Sequence, residues 1–126
     1  MRPGPRDGGA RCRRAAGTAL LEEGLQMTAS LKDNIDWVGY VDWNVRDFHG
    51  YRTGAGSTYN AYLIRDEKTA LIDTVKAPYA ADLLAHVSEL IDPTRIDYVV
   101  VNHAEPDHAG SLSAVMAACP QATVVT

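Results

Sequence analysis

The sequence contains little of what would mark a specialised class of protein. Cys12 and Cys119 are its only cysteines, which provides no disulfide framework and is typical of a reducing cytosol. No apolar run approaches the roughly 18 residues that a membrane helix needs. Basic residues are scarce as well, since residues 27–126 hold seven Lys or Arg against thirteen acidic residues. An acidic domain repels phosphate backbones, so we expect a cytoplasmic protein with neither a nucleic-acid nor a membrane partner.

The first 26 residues differ in composition from the rest. They carry five Arg and several Gly and Pro, and they show no sustained hydrophobic period. A secretory signal is not favoured, because the apolar part is interrupted by Gly17 and followed by acidic residues. An organelle-targeting leader fits the Arg content, but the simpler interpretation is a disordered leader or an extended start. We therefore place the domain boundary before Met27 and assign residues 27–126 to one domain.

Hydrophobic patterns in residues 27–126 predict an α/β fold. Apolar and β-branched runs predict strands, and apolar residues at helical spacing predict two helices. The strands are expected at residues 35–41, 59–64, 69–75, 96–101 and 122–125, and the helices at residues 78–91 and 111–118. An opening pair of strands followed by alternating strands and helices implies a mixed sheet. The last strand would have no neighbour on one side, and one face of the sheet would be uncovered. We therefore expect the sequence to be the N-terminal part of a larger domain.

The most informative stretch follows the strand predicted at residues 96–101. His103, Glu105, Asp107 and His108 occur within six residues there, and all four are metal-ligand types. Loops at the carboxyl ends of strands line the ligand-binding crevice of α/β folds. In an extended backbone His103, Glu105 and Asp107 project to one side, and Pro106 keeps the loop open by holding Glu105 out of helical geometry. His108 then points elsewhere unless the chain turns there, which predicts two neighbouring metal positions instead of one.

Ligand type also bears on which metal is bound. Two carboxylates among four ligands favour iron or manganese, with zinc still tolerated. The alternative is an ordinary solvated polar loop. Four ligand types packed directly after an apolar strand disfavour that alternative.

The same residues carry a family resemblance. HAEPDH, preceded by YVVVN and followed by AGSL, resembles the H-x-E-x-D-H signature of flavodiiron proteins, a branch of the metallo-β-lactamase fold whose hydrolases usually have H-x-H-x-D-H. The segments IDWVGYVDWNVRDFHGY, GSTYNAYLI and TALIDTVKAP also resemble the opening of these enzymes, especially the flavorubredoxins that reduce nitric oxide. The resemblance covers residues 31–126. It implies an incomplete metallo-β-lactamase-like αββα sandwich, of which the N-terminal half is present.

The resemblance also implies a role for individual residues. His103 and Glu105 would bind a first iron, and Asp107 and His108 a second. The remaining ligands of the family, two histidines and a bridging carboxylate, have no counterpart in the sequence. The 126 residues alone are therefore expected to bind iron weakly and to be inactive.

Two residues outside the loop are implied to support the metal site. His49 resembles a histidine that lines the substrate pocket and donates a hydrogen bond there; the alternative is an ordinary turn histidine. Asp73 resembles a carboxylate that orients a metal-bound histidine through its other ring nitrogen, and its alternative is a strand-end cap. His86 has no evident site and is expected at the surface. The core or the pocket wall is expected to contain Trp37, Trp43, Phe48, Tyr59 and Tyr62.

The activity that the resemblance implies is that of an oxidoreductase. In the family, electrons pass from FMN to two iron ions, and two NO are reduced to N2O and water, or O2 to water. The FMN would come from the partner subunit of a head-to-tail homodimer, and a fused or separate rubredoxin would be the electron donor. The flavodoxin-like domain that binds FMN is absent from the sequence.

Two other functions stay open at this point. A binuclear hydrolase of the metallo-β-lactamase fold would use its metals to activate water, but Glu105 stands where such hydrolases have a second histidine. A degenerate, non-catalytic metal-binding fragment describes the chain taken by itself.

Overall fold

A computed structural model of the chain describes residues 27–126. The leader expected at residues 1–26, together with Cys12, lies outside the described residues. The strands of the described part are β1 Ala29–Lys32, β2 Ile35–Trp37, β3 Tyr40–Asp42, β4 Asp47–Phe48, β5 Tyr51–Arg52, β6 Ser57–Tyr59, β7 Tyr62–Arg65, β8 Thr69–Ile72, β9 Tyr98–Val100 and β10 Thr123–Val125. Its α-helices are α1 Ala80–Leu90, α2 Pro106–Ala109 and α3 Leu112–Ala118. None of these helices is long and apolar enough to cross a bilayer.

The predicted mixed sheet is confirmed. Six strands are hydrogen-bonded in the order β1-β2-β7-β8-β9-β10. The first four of these strands pair antiparallel, whereas β8, β9 and β10 run parallel. Parallel neighbours need a crossover connection, and α1 supplies it between β8 and β9. The carboxyl ends of β8 and β9 consequently meet at one edge of the sheet.

The core lies between one face of this sheet and the helices. Leu63, Leu71 and Val99 are in register on neighbouring strands and are fully buried. They belong to the same buried cluster as Leu83 of α1 and Val115 of α3. The opposite face is only partly covered by the described residues, and Tyr98 on it is 39% exposed. The α/β class is confirmed, with its helices on one side of the sheet.

Two strands predicted as continuous are each broken into two. The prediction of single strands at residues 35–41 and 59–64 was wrong, because the chain bends at Gly39 and at Asn60–Ala61. A Cβ at Gly39 would lie 2.1 Å from the carbonyl oxygen of Tyr59, so only glycine permits this close crossing. Beyond the bend, β3 and β6 pair in a separate two-stranded sheet.

Two side chains are not where the sequence predicted them. His86 was expected at the surface, but it is 6% exposed and faces the core from the middle of α1. Its Nδ1 lies 3.0 Å from the carbonyl oxygen of Gly39 and 3.2 Å from that of Val38. These contacts hold the bend between β2 and β3 against the helix. Trp43 was expected in the core or pocket wall, but it is 67% exposed because it follows the end of β3.

Candidate metal centre

The ends of β8 and β9 bring together the chain segments that build the site. The ladder continues for one residue past β8, since the Asp73 N–H donates to the Val100 carbonyl at 2.7 Å. Thr74 then binds the ligand loop, because its N–H and its hydroxyl both donate to the His108 carbonyl at 2.7 Å. The Ser111 hydroxyl donates to the Val75 carbonyl at 2.8 Å. The loop after β9 is therefore fixed to the segment after β8 along its length.

The ligand loop itself is not extended throughout. Glu105 is extended, with φ −68° and ψ 154°, but the chain enters the short helix α2 at Pro106. Pro106 occupies the first helical turn, where its fixed φ fits and its missing N–H is not needed. The expectation that Asp107 follows an open, extended course was wrong for this reason. Asp107 and His108 instead project from successive positions of a helical turn.

The four loop residues form two neighbouring pairs. His103 Nε2 lies 3.3 Å from Glu105 Oε1, and His108 Nε2 lies 3.3 Å from Asp107 Oδ2. The two imidazole rings meet edge to face, with their centroids 5.4 Å apart. All four side chains that the sequence singled out in this loop therefore face one another at the edge of the sheet.

His49 reaches this edge from a separate hairpin. It occupies the two-residue turn between β4 and β5 with Gly50, and both residues have positive φ, 53° and 77°. Positive φ at both central positions is the signature of a type I′ hairpin turn. Its Nε2 lies 3.2 Å from Glu105 Oε2 and 3.9 Å from Asp107 Oδ1. One ligand atom each of His49, Glu105 and Asp107 lies within 4.8 Å of the other two.

Asp73 also adopts a left-handed conformation, with φ 57°. This conformation costs free energy in a residue that has a Cβ, and it turns the carboxylate towards the ligand loop. Oδ1 accepts the N–H of Asn102 at 2.7 Å, and Oδ2 accepts the Asn102 side-chain amide at 3.2 Å. Oδ2 also lies 3.0 Å from Nδ1 of His108. Asp73 thus makes the contacts of a strand-end cap and touches the ring nitrogen of His108 that faces away from Asp107.

An open cavity of about 360 Å³ lies in front of these groups. It is lined by Asp47, Phe48, His49, Lys76, Glu105, Pro106 and Asp107. Sequence reasoning did not single out Lys76, although its position shortly after β8 places it at the same edge. Its Nζ lies 4.6 Å from the ring centroid of Phe48 and 4.8 Å from that of Tyr59, within the range of cation–π attraction.

The donor set suits a divalent cation. Oδ1 of Asp107 is buried and has no hydrogen-bond partner among the described residues. Leaving such an oxygen unpaired costs roughly 1–3 kcal/mol, and a bound cation would remove that cost. Imidazole and carboxylate ligands together suit iron, manganese or zinc. The residues at this edge therefore fit the metal ions that the ligand types predict.

A mixed sheet with histidines and carboxylates on the loop after its central parallel strand agrees with the metallo-β-lactamase fold that the sequence resemblance implies. The family model described as "ODP family beta lactamase" matches residues 58–126, so the chain belongs to that family.

Several flavodiiron proteins and related oxidoreductases are similar to the chain over most of its length. The anaerobic nitric oxide reductase flavorubredoxin of Pectobacterium atrosepticum is 52% identical over 100 residues, which cover 78% of this chain and 20% of that protein. The rubredoxin oxygen:oxidoreductase of Desulfovibrio gigas superposes with a TM-score of 0.74 at 50% identity, covering 77% of this chain and 24% of the other. The flavodiiron protein of Giardia intestinalis gives a TM-score of 0.73 at 44% identity, with the same coverage. The chain thus spans about a quarter or less of the length of these relatives.

Proposed function

We propose that this chain supplies part of the diiron centre of a flavodiiron oxidoreductase that reduces nitric oxide to N2O, or O2 to water. The observation that carries this proposal is the pairing of His103 with Glu105 and of Asp107 with His108 at one sheet edge. Two pairs of unlike donors, with a buried carboxylate oxygen left unsatisfied, suit two adjacent metal ions. The names of the similar proteins support the redox chemistry.

Each loop residue has a distinct part in this proposal. His103 and Glu105 hold one iron, and Asp107 and His108 hold the other. Asp73 keeps the proton of His108 on Nδ1, because a carboxylate 3.0 Å away can only accept it. Nε2 of His108 is then free of a proton and available to a metal. When bound, the iron pair supplies the electrons and the binding positions for the diatomic substrate.

His49 acts on the substrate side of the site. Its Nε2 faces the cavity between the carboxylates of Glu105 and Asp107. From there the imidazole donates a hydrogen bond to the bound gas or to its reduced product. The left-handed backbone at His49 supports a functional role, because residues with a Cβ adopt it at a cost. Gly or Asn would form the same turn more favourably.

The electron source lies outside the described residues. We propose that FMN supplies the electrons, that it belongs to another domain of a longer polypeptide, and that it reaches the irons across a head-to-tail homodimer. A rubredoxin-type protein or domain reduces the FMN in turn. The scarcity of cysteine supports a reducing, cytoplasmic location.

Metal binding by the full chain tests the first step of the proposal. Ferrous iron is titrated anaerobically in equilibrium dialysis, and bound and free iron are measured by elemental analysis at each concentration. His103→Asn is expected to weaken iron binding by at least about tenfold, since it removes a donor of the first pair. The matched control is Asp97→Asn, whose carboxylate lies at the other end of β9 and accepts the Thr69 N–H. Unchanged iron affinity in His103→Asn would contradict the assignment.

The redox step requires the longer protein that we propose. There the same His103→Asn change should abolish consumption of NO or O2 with reduced FMN, while the content of FMN stays unchanged. A product that binds zinc, lacks flavin and hydrolyses an ester, thioester or β-lactam would instead identify the hydrolase alternative.

A further inference from the structure

A buried carboxylate lies behind the hairpin that carries His49. Asp42 ends β3 and is 6% exposed. Its Oδ1 accepts the N–H groups of Asn44 and Val45 at 3.0 and 3.1 Å. Its Oδ2 accepts the phenol hydroxyls of Tyr59 and Tyr79 at 2.7 and 2.9 Å. Both oxygens of one side chain therefore tie the backbone of a loop to two aromatic side chains.

Among residues 27–126, no cationic side chain forms an ion pair with Asp42, so its four hydrogen bonds compensate the buried charge. Burial alone would raise its pKa, but the hydrogen bonds from Tyr59, Asn44, Tyr79 and Val45 lower the pKa below the ordinary value of Asp. A carboxylate this well satisfied holds its partners in one arrangement.

The Oδ1 side of Asp42 leads to the base of the hairpin. Val45, whose N–H binds Oδ1, accepts the Thr53 hydroxyl at its carbonyl at 2.8 Å. The Thr53 N–H donates to the Arg46 carbonyl at 3.1 Å. These bonds close the two arms of the hairpin just outside β4 and β5. The position of the turn at His49 thus depends on a backbone segment that Asp42 orders.

The Oδ2 side leads to the wall against which His49 rests. The ring of Tyr59 lies 6.0 Å from that of Phe48, centroid to centroid, and Phe48 meets the His49 ring edge on at 4.1 Å. Tyr79 lies 5.8 Å from Tyr59. Asp42 therefore reaches His49 by two separate routes, one through the backbone and one through packed rings.

We propose that Asp42 is a positioning residue for His49, which it holds over Glu105 and Asp107 by fixing both the hairpin base and the aromatic wall. The inference rests on the proposed function only in giving His49 a part in the reaction. The placement of His49 is a property of the metal-free chain, and it is measured without iron.

The test compares Asp42→Ala with Asp42→Asn by NMR of the full, metal-free chain. Asn retains an oxygen for the two backbone N–H groups and an amide that donates to the two phenol oxygens, so it preserves the geometry without the charge. Ala removes all four bonds. Asp97→Ala is the control, because Asp97 also accepts a backbone N–H but precedes β9 in the six-stranded sheet, whereas Asp42 ends β3 in the separate two-stranded sheet.

In Asp42→Ala we expect loss of the nuclear Overhauser (NOE) cross-peak between the protons of the His49 ring and those of the Glu105 side chain. Exchange of the Thr53 amide should become about tenfold faster, the effect of losing roughly one net hydrogen bond. Asp42→Asn should restore both signals, and Asp97→Ala should leave both unchanged. A folded Asp42→Ala that keeps the cross-peak would overturn the proposal, and so would an Asp42→Asn that loses it equally.

Asp42→Ala could fail to fold, and Tyr79→Phe then decides the question. It removes one donor to Oδ2 from a partly exposed side chain. A weakened cross-peak from His49 to Glu105 supports the proposal, and an unchanged one refutes it. The NMR measurements need no iron, so they remain valid even if the chain binds none. The proposal for Asp42 and the proposal of a diiron centre can therefore be refuted independently.

Discussion

Replacement of Asp73 by Asn offers the sharpest test of how the metal ligands are oriented. In the native chain Oδ2 can only accept, so the proton of His108 stays on Nδ1, 3.0 Å away. The amide of Asn would place an NH2 group there, and a donor facing Nδ1 drives the proton to Nε2. That nitrogen is the one that lies 3.3 Å from Asp107. The change therefore blocks a ligand atom without changing the shape of the side chain.

The structure sets the size of the expected effects. Asn tolerates the left-handed φ of 57° as Asp does, and its oxygen can still accept the Asn102 N–H. We expect Asp73→Asn to cost roughly 1 kcal/mol of unfolding free energy, the net worth of one hydrogen bond. Metal affinity should fall about 10- to 100-fold, as is usual when the partner of a ligating histidine is lost. Asp73→Ala should cost roughly 3–4 kcal/mol, because three hydrogen bonds are lost and Ala is strained at positive φ.

Three measurements check this prediction. Urea unfolding gives the stabilities, titration with ferrous iron or cobalt gives the affinities, and long-range ¹H–¹⁵N spectra of the imidazole show which nitrogen of His108 carries the proton. Asp97→Asn is the control, since it alters a comparable carboxylate at the opposite end of the strands. An Asp73→Asn chain that binds metal within about twofold of the native chain, with the proton still on Nδ1, would refute the reasoning.

Two further predictions concern stability. Gly39→Ala should lower the unfolding free energy by about 3 kcal/mol, because the new methyl clashes with the Tyr59 carbonyl. Gly54→Ala has nothing within 4 Å of the new methyl and should change the unfolding free energy by less than about 1 kcal/mol. Equal losses of the two variants in urea unfolding would contradict the packing argument. The second concerns pH. Hydrogen bonds outweigh burial and lower the pKa of Asp42, while burial and Asp42 raise that of Tyr59, so their stabilisation is fully present between about pH 4 and 10. The stabilisation by Asp42 should be lost as the pH falls below about 4, and that by Tyr59 as the pH rises above about 10. If the urea midpoints of the native chain, Asp42→Asn and Tyr59→Phe shift equally with pH, this prediction is wrong.

Much of the fold could be predicted because it depends on local patterns. The apolar runs at β8 and β9 and the helical spacing of α1 are set by adjacent residues, and so is the placement of the ligand loop after a buried strand. The breaks in the strands could not be predicted in this way. The bend at Gly39 depends on the approach of Tyr59, which lies on a distant part of the chain. The helical turn at Pro106 was missed because proline fits both an open loop and a first helical turn.

The candidate site likewise has a part that local sequence predicts and a part that depends on distant contacts. The residue types of the loop identified a cluster of ligands, since four of them occur in six positions. The meeting of His49 with Glu105 could not be derived from spacing, because it depends on the hairpin folding back over the sheet edge. His86 shows a signal that could have been used: it falls on the face of α1 that carries Leu83 and Val87, and a histidine on a buried face needs polar partners. The roles assigned to the site residues stay predictions.

The helical turn at Pro106–Ala109 has a consequence for how this region can change over evolutionary time. Each residue added to a helix rotates all later positions by about 100°. A single insertion between Pro106 and His108 would therefore rotate His108 relative to the residues before it. Because Thr74 and Asp73 hold His108 in place, Glu105 would have to move instead, away from its position beside His49. We therefore expect evolution to exchange one metal-ligand type for another at Glu105, Asp107 and His108, but to conserve the number of residues between them.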